Sequence, residues 1–243
     1  MPHFLISKKQ IENNIITLDN DDNFFHLTKV LRIKAGENIK FIDSAGNVYY
    51  SKISKIDKKS LKAQIIKTEK SKRTIKDNVC LIQSVLMNDA QNLLIANATQ
   101  TGVKEIYPVI SDNTSAPYNS LINKKEKWEK IAYENFKQCE RADMPKIHPV
   151  IKLKEAINNF KKENIIIFAE KYSAISLQDA IKDIDKNEKI ALVIGPEGGF
   201  SEEEFDYFKE ENFKLVSLGS VIYKAPNAVV AGAHSTIYML ENF

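Results

Sequence analysis

The sequence contains only two cysteines and no long apolar run, and it carries little net charge. Cys80 and Cys139 lie far apart without C-x-x-C spacing, which disfavours both a disulfide scaffold and a zinc ribbon. Apolar stretches such as residues 165–169 are far shorter than the roughly 20 residues of a membrane helix. Residues 4–6 precede two lysines and are too few for a signal-peptide core of about 7–15 residues. We therefore expect a soluble, cytoplasmic protein with no membrane partner and no metal.

The composition is that of a folded protein with an uneven charge distribution. The 243 residues, 43% of them hydrophobic, suit one large or two modest domains, and a net charge of +3 is too small for a largely disordered chain. Residues 1–74 carry 15 Lys and Arg against 8 Asp and Glu, a net charge of +7, whereas the remainder carries 20 against 24. A basic block indicates a module that meets a polyanion. A solvated Lys-rich surface explains the count equally well, because clustering on one face cannot be read from sequence.

The hydrophobic pattern changes between residues 70 and 79. Residues 39–66 contain three alternating runs, the first two separated by Gly46 and Asn47, which predicts a hairpin within a small β-barrel. Residues 71–77 are polar and are predicted to be a linker. From Val79 onward strands alternate with helices, which predicts an α/β domain with a mostly parallel sheet and helices on both faces. The strands are predicted at 79–86, 105–110, 165–168, 190–194 and 214–218, with helices at 89–101 and around 128–139 and others starting near Ser176, Ser201 and Pro226.

Two glycine-containing turns follow predicted strands. In the first, residues 195–200 (GPEGGF) lead into a helix whose start is fixed by a capping box of Ser201 and Glu204. In the second, a strand ends at Gly219, and the following helix is rich in small residues, so something packs closely against it. Glycines allow a ligand to approach the backbone, and open α/β sheets bind ligands beyond the carboxyl ends of their strands. Tight strand-to-helix turns and simple helix packing are the alternative interpretations.

Together the two segments resemble the RsmE-type 16S ribosomal RNA (uracil-N3)-methyltransferases, which belong to the SPOUT class. The GPEGGF string followed by an acidic capping box carries most of the resemblance. Three further segments are similar to family motifs and occur in the same order, namely 26–32 (HLTKVLR), 99–108 (TQTGVKEIYP) and 138–141 (QCER). The resemblance covers essentially the whole chain.

The resemblance implies a PUA-like RNA-binding β-barrel at 1–72 and a trefoil-knotted domain at 73–243 that binds S-adenosylmethionine, in a homodimer that acts on 16S ribosomal RNA of the small subunit. We expect these two turns, after neighbouring strands, to hold the methyl donor. The implied donor-binding residues are Gly195, Pro196, Glu197, Gly198, Gly199, Leu218, Gly219, Ile222, Tyr223, Lys224 and Ala228. The implied catalytic residues are Lys224, Arg141 and Glu197, and the RNA-binding residues are His26, Lys29 and Arg32. For Glu197, a structural role in the turn is at least as well supported as that of a base.

The sequence departs from the family pattern mainly at charged positions. Where the family has L-G-x-R-I-L-R-x-E-T-A, this chain has Val221 and Lys224 at the two arginines, and Pro226 and Asn227 at the glutamate and threonine. An arginine that the family has after the second strand is replaced by Asn113. Three interpretations therefore stay open: an RsmE-like methyltransferase, a non-catalytic RNA-binding or ribosome-assembly paralogue, and an enzyme of the same fold acting on a different RNA. His148 and His234 lack partners at metal-ligand or triad spacing and are expected to be structural.

Overall fold

The computed structural model describes residues 3–72, 78–121, 123–172 and 175–242. Contacts divide the chain into an N-terminal unit, residues 1–74 with 136–143, and a C-terminal unit, residues 75–135 with 144–243. Residues 136–143 therefore belong to the N-terminal unit although they lie far along the chain. Most of the predicted linker, residues 73–77, lies outside the described residues.

The N-terminal unit is built on a six-stranded sheet in the order β1-β4-β5-β6-β3-β2. Its pairs are antiparallel except for β1 with β4. Phe4 on β1 and Ile16 on β3 share one buried core, which requires the sheet to curl. The predicted hairpin is confirmed, with Gly46 in the left-handed conformation at φ +76°. The strands are β1 (His3–Ile6), β2 (Ile11–Glu12), β3 (Ile15–Asp19), β4 (Asn38–Asp43), β5 (Asn47–Ile56) and β6 (Ser60–Lys70).

The helical segment between β3 and β4 contains the first five residues of the HLTKVLR sequence. Helix α1 (Asp22–Phe25) is capped by Asp21, whose carboxylate accepts a hydrogen bond from the Phe24 N–H at 2.8 Å. It continues into a wider, π-type turn over His26–Val30. Buried Leu27 anchors this turn to the core of the unit, which leaves the polar residues beside it near the surface.

The C-terminal unit contains a parallel sheet in the order β10-β8-β7-β12-β11-β13, with β9 also paired to β8. The predicted α/β class with a mostly parallel sheet is confirmed. The strands are β7 (Val79–Ser84), β8 (Glu105–Ile110), β9 (Lys146–Ile147), β10 (Ile151–Lys152), β11 (Ile165–Phe168), β12 (Ile190–Ile194) and β13 (Lys214–Val216). The helices are α2 (Asn88–Thr101), α3 (Lys125–Cys139, whose last four residues fall in the N-terminal unit), α4 (Leu153–Ile157), α5 (Leu177–Lys182), α6 (Glu202–Glu210) and α7 (Ala225–Asn242).

Helices cover both faces of this sheet, as the continuous apolar strands predict. Along β12, Leu192 packs in one core with Leu94 of α2 and Val229 of α7. The next residue, Val193, packs in a second core that includes Phe208 of α6. Successive side chains of a strand point to opposite faces, so a fully apolar strand is buried on both sides.

The carboxyl ends of β7, β11, β12 and β13 meet at one edge of the sheet, because all of these strands are parallel. The two glycine turns predicted from sequence follow β12 and β13 and therefore lie at this edge. No helix within the described residues is long and apolar enough to cross a membrane.

Candidate functional site

One cavity of about 1560 Å³ lies in the C-terminal unit at the carboxyl edge of the sheet, and both glycine turns border it. All eleven residues proposed from sequence to bind the donor line it: Gly195, Pro196, Glu197, Gly198, Gly199, Leu218, Gly219, Ile222, Tyr223, Lys224 and Ala228. The expectation that the turns follow neighbouring strands is wrong, because β11 lies between β12 and β13 and pairs with both. The end of β11 consequently forms the wall between the turns, with Phe168 and Ala169 in the lining.

The first turn is shaped by a glycine and by the helix that follows it. Gly199 has a left-handed φ of +70°, and no atom lies within 4 Å of the place where a Cβ would stand, so the backbone there is open. The predicted capping box is confirmed. Ser201 Oγ accepts from the Glu204 N–H at 3.1 Å, and Glu204 Oε2 accepts from the Ser201 N–H at 2.9 Å. These bonds fix the first residue of α6 and so end the turn at a defined point.

The loop after β8 holds the first turn from one side. The Asn113 amide donates to the Gly199 carbonyl at 3.1 Å, and Ser201 Oγ donates to Asp112 Oδ2 at 2.5 Å. The Asp112 N–H donates to Glu204 Oε1 at 3.0 Å. Burial raises the pKa of Glu204, although these backbone donors act in the opposite direction. Asp112 is absent from the residues predicted to form the site. Its position could have been anticipated, because Asp112 and Asn113 are polar residues that closely follow β8.

Glu197 ties the turn to α2 from the other side. Its carboxylate accepts a hydrogen bond from the Met87 N–H, with 3.1 Å between Oε1 and N. Met87 immediately precedes α2, where the first backbone N–H groups have no partner within the helix. The carboxylate therefore satisfies a backbone donor at the start of α2 while it holds the turn in place. In this arrangement Glu197 supports the turn, and its catalytic role stays a prediction.

The second turn presents an apolar surface to the cavity. Gly219 has a φ of +117°, and its N–H donates to Ser217 Oγ at 3.2 Å. After Ser220, three consecutive apolar residues are exposed, with relative accessibilities of 59% for Val221, 78% for Ile222 and 40% for Tyr223. Such exposure of three consecutive apolar side chains is unusual in a folded protein and indicates a surface that another molecule covers.

Helix α7 begins directly after this apolar surface. The Lys224 carbonyl accepts from the N–H groups of Asn227 and Ala228 at 2.8 and 2.9 Å, and the Asn97 amide of α2 donates to the Pro226 carbonyl at 2.8 Å. Pro226 lies in the first turn, as predicted. The side chain of Lys224 is exposed and lines the cavity. The hydrogen bonds of α7 thus hold the backbone at Lys224 beside the cavity.

The other proposed catalytic and RNA-binding residues belong to the N-terminal unit. Arg141 is only 4% exposed, with Nη2 3.3 Å from Asp143 Oδ2. Burial lowers the pKa of Arg141, and the charge of Asp143 opposes this shift. Lys29 and Arg32 are exposed, whereas His26 is half-buried with its Nδ1 3.4 Å from Lys137 Nζ. Their roles in contacting RNA, and that of Arg141 in contacting substrate, stay predictions.

His148 is engaged in a network at the opposite end of the strands. Its Nε2 lies 2.7 Å from Glu105 Oε2, and its ring stacks on Tyr107 with 3.9 Å between the centroids. The expected structural role of His148 agrees with these contacts. Within the described residues no group of three or more His, Cys, Asp or Glu side chains is arranged to hold a metal ion.

Comparison with known proteins places this geometry in a family. A family model described as "RNA methyltransferase domain" matches residues 73–236, and one described as "RNA methyltransferase PUA domain" matches residues 18–66. The chain is 29% identical to the ribosomal RNA small subunit methyltransferase E of Aquifex aeolicus, over 99% of this chain and all of that protein. It is also 29% identical to the enzyme of the same name from Mesomycoplasma hyopneumoniae, over 87% of this chain and 93% of that one.

A solved structure has the same architecture. The ribosomal RNA small subunit methyltransferase E from Neisseria gonorrhoeae, bound to S-adenosylmethionine, has a TM-score of 0.84 and 25% identity over 98% of both chains. The RNA methyltransferase model covers well over half of the sequence, including both glycine turns and the whole lining of the cavity. The family predicted from the GPEGGF segment is therefore confirmed, and the chain belongs to the RNA methyltransferase family.

Proposed function

We propose that this protein transfers a methyl group from S-adenosylmethionine to N3 of a uracil in the 16S ribosomal RNA of the small subunit. One observation carries the proposal: two glycine turns from separate strands border a single cavity whose lining includes every residue expected to bind the donor. The relatives named as small subunit methyltransferases match along nearly their full length and support the same substrate class.

The residues of the cavity fit S-adenosylmethionine. Its volume of about 1560 Å³ exceeds the roughly 300–1,000 Å³ of typical ligand pockets, which leaves room for a nucleotide beside the donor. Leu86, Ile194 and Leu218 provide an apolar wall suited to an adenine ring. At Gly199 and Gly219 a Cβ would stand in open space, so the donor can approach the backbone of both turns closely.

The protein's part in the reaction is to position the reactants and stabilise charge. When bound, S-adenosylmethionine supplies a methyl group on a positively charged sulfur, and the carbon–sulfur bond breaks as the carbon–nitrogen bond to uracil forms. Uracil N3 loses its proton in this reaction, and the ammonium group of Lys224 stabilises the negative charge that develops on the ring. Glu197, which already accepts the Met87 N–H, is the candidate acceptor for that proton. Holding the reactants in line supplies roughly 7–11 kcal/mol of the barrier reduction.

The N-terminal unit is assigned to RNA binding. Residues 1–74 carry a net charge of +7, which favours association with a polyanion. Lys29 and Arg32 are exposed beside the π-type turn and would contact phosphate groups. His26 lies in the same turn and completes the RNA-binding set expected from the resemblance.

The homodimer belongs to the same proposal. Exposed apolar side chains occur on two helices that pack against each other, Leu93 on α2 and Val230 and Tyr238 on α7. A second copy that covers these residues would also shield the apolar surface of the second turn. We assign the protein to the cytoplasm, where the small ribosomal subunit is assembled and modified, and we expect a trefoil knot in the C-terminal unit.

A methyl-transfer assay tests the proposed function. Small subunits from a strain lacking the modification are incubated with the protein and S-adenosylmethionine, and digested ribosomal RNA is analysed by mass spectrometry. We expect one N3-methyluridine per subunit, and Lys224→Met should reduce the rate while Lys224→Arg restores part of it. Binding of S-adenosylmethionine in calorimetry without any methyl transfer would favour the non-catalytic paralogue. The presence of Val221 and Pro226, where the family has charged residues, also supports that interpretation. Methylation of a different RNA alone would favour the third interpretation.

A further inference from the structure

A row of basic and aromatic side chains crosses the outer face of the N-terminal sheet. Lys40 on β4 is the direct cross-strand partner of Tyr50 on β5, and Tyr50 is the partner of Lys67 on β6. The adjacent residues Phe41 and Tyr49 point into the core of the unit. Because side chains alternate along a strand, Lys40 and Tyr50 lie on the face opposite the core.

The two lysines flank the aromatic ring. Lys40 Nζ lies 5.6 Å and Lys67 Nζ 5.9 Å from the centre of the Tyr50 ring. Each lysine is held by a carboxylate, Lys40 by Glu140 at 3.2 Å and Lys67 by Glu69. Both ammonium groups lie over the Tyr50 ring and are held there by their carboxylates, so a base that stacks on the ring takes the place of one of them. An ammonium has three N–H donors, so a lysine bound to one carboxylate can still donate to a phosphate.

The Tyr50 ring also lines a second cavity. The cavity has a volume of about 510 Å³ and lies within the N-terminal unit. Two further lysines, Lys70 and Lys72, line it together with Tyr50. Its complete lining is His3, Lys40, Val48, Tyr50, Glu69, Lys70, Ser71, Lys72 and Glu140. The lining therefore combines the Tyr50 ring with three lysines and two carboxylates, and it includes no residue of the His26–Val30 turn.

We propose that this cavity, the Tyr50 site, binds one unstacked nucleotide of single-stranded RNA. Its base stacks on the ring of Tyr50, and the phosphates on either side contact Lys40, Lys67 and Lys70. An aromatic platform beside a basic groove is the arrangement by which proteins bind single strands, whereas a duplex offers no free base face. An acidic peptide would use the lysines but would gain little from the ring. The inference rests on the proposed function, since it assumes that RNA is the substrate.

Fluorescence anisotropy with a labelled 12-nucleotide oligouridylate and with a blunt-ended RNA duplex of the same length tests the Tyr50 site. Tyr50→Leu keeps apolar bulk but removes the stacking surface, so we expect affinity for the single strand to fall about 5- to 150-fold. Tyr50→Phe retains the ring and should bind like the wild type. Replacing Lys67 by Met should lower the salt dependence of single-strand binding by about 0.7 in the log–log slope.

Controls separate this inference from the proposed function. Tyr118→Leu changes an exposed aromatic residue of the C-terminal unit that lines neither cavity, and it should leave oligouridylate binding unchanged. Equal single-strand affinity of Tyr50→Leu and wild type would overturn the inference, as would an equal loss of duplex binding or equal competition by polyglutamate. Donor calorimetry and methyl transfer to small subunits are measured on the same samples. If they fail in the wild type while oligouridylate binding still depends on Tyr50, the proposed function is wrong and the site stands.

Discussion

Replacing Gly232 by alanine sets a favourable local effect against an unfavourable packing effect. In a helix, alanine is about 1 kcal/mol more favourable than glycine. Gly232 is buried on α7, however, and a Cβ there would stand 2.6 Å from Cε2 and 2.8 Å from Cζ of Phe168. Phe168 is itself buried at the end of β11, and the open space beside its ring is the donor cavity that it lines. Overpacking of this kind costs about 1–3 kcal/mol, so we expect a net destabilisation of about 0–2 kcal/mol.

Urea unfolding followed by circular dichroism measures this balance, and a double mutant isolates its cause. In the Phe168→Leu background the smaller side chain should accept the new methyl group, so the two substitutions should couple by about 0.5–3 kcal/mol. Because Phe168 lines the donor cavity, G232A should also weaken binding of S-adenosylmethionine in calorimetry. A variant that is about 1 kcal/mol more stable than the wild type, with no coupling to position 168, would refute the reasoning.

Three further predictions concern the site and its supporting network. Glu197→Ala removes the acceptor of the Met87 N–H, so the Kd for S-adenosylmethionine should rise about 2- to 12-fold in calorimetry; Glu197→Gln keeps an acceptor oxygen, and an equal loss in that variant would point to the charge instead. Lys224→Met should lower kcat about 10- to 100-fold, a smaller effect than the loss of a buried hydrogen-bond donor, because Lys224 is exposed. The decrease in kcat should exceed the increase in the Kd for S-adenosylmethionine. A change in that Kd alone would show that Lys224 has no part in catalysis. Burial by itself would raise the pKa of Glu105, but hydrogen bonds, the strongest from Lys189, outweigh it and lower the pKa to about 2. The stabilisation of the fold by ionised Glu105 is complete above the unfolded-state pKa of about 4.5 and disappears as the pH falls toward 2. The urea midpoint of the wild type should therefore approach that of Glu105→Gln as the pH falls through this range. Midpoints that stay the same distance apart would show that Glu105 does not stabilise the fold in this way.

The sequence was sufficient for the elements that depend on local pattern. The strands at 105–110, 165–168 and 190–194 have the predicted bounds, because each is a short, mainly apolar run. The strands predicted at 79–86 and 214–218 end two residues earlier, at Ser84 and Val216. The start of α6 was also predictable, since the capping bonds of Ser201 and Glu204 involve only residues within one turn. The small residues of α7 predicted a close contact, and the ring of Phe168 is that contact.

The candidate site was predictable only in part. Residues 195–199 and 218–224 were identifiable because their glycines and their similarity to a family motif are local features of the sequence. Asn113 appeared only as a departure from the family pattern, and its hydrogen bond to Gly199 could not be foreseen because 86 residues separate the two. The bond from Met87 to Glu197 spans 110 residues and escaped prediction for the same reason.

By itself, then, the sequence determined the α/β class, the helix caps, the two turns and the family, because each depends on short-range periodicity, capping or an uninterrupted motif. Only the tertiary structure decided that β11 lies between β12 and β13, that the loop after β8 holds the first turn, and that Lys40, Tyr50 and Lys67 form one row. Strand order and cross-strand register bring together residues that are distant in the chain, and the free energy that selects them comes from burying the whole sheet rather than from any local segment.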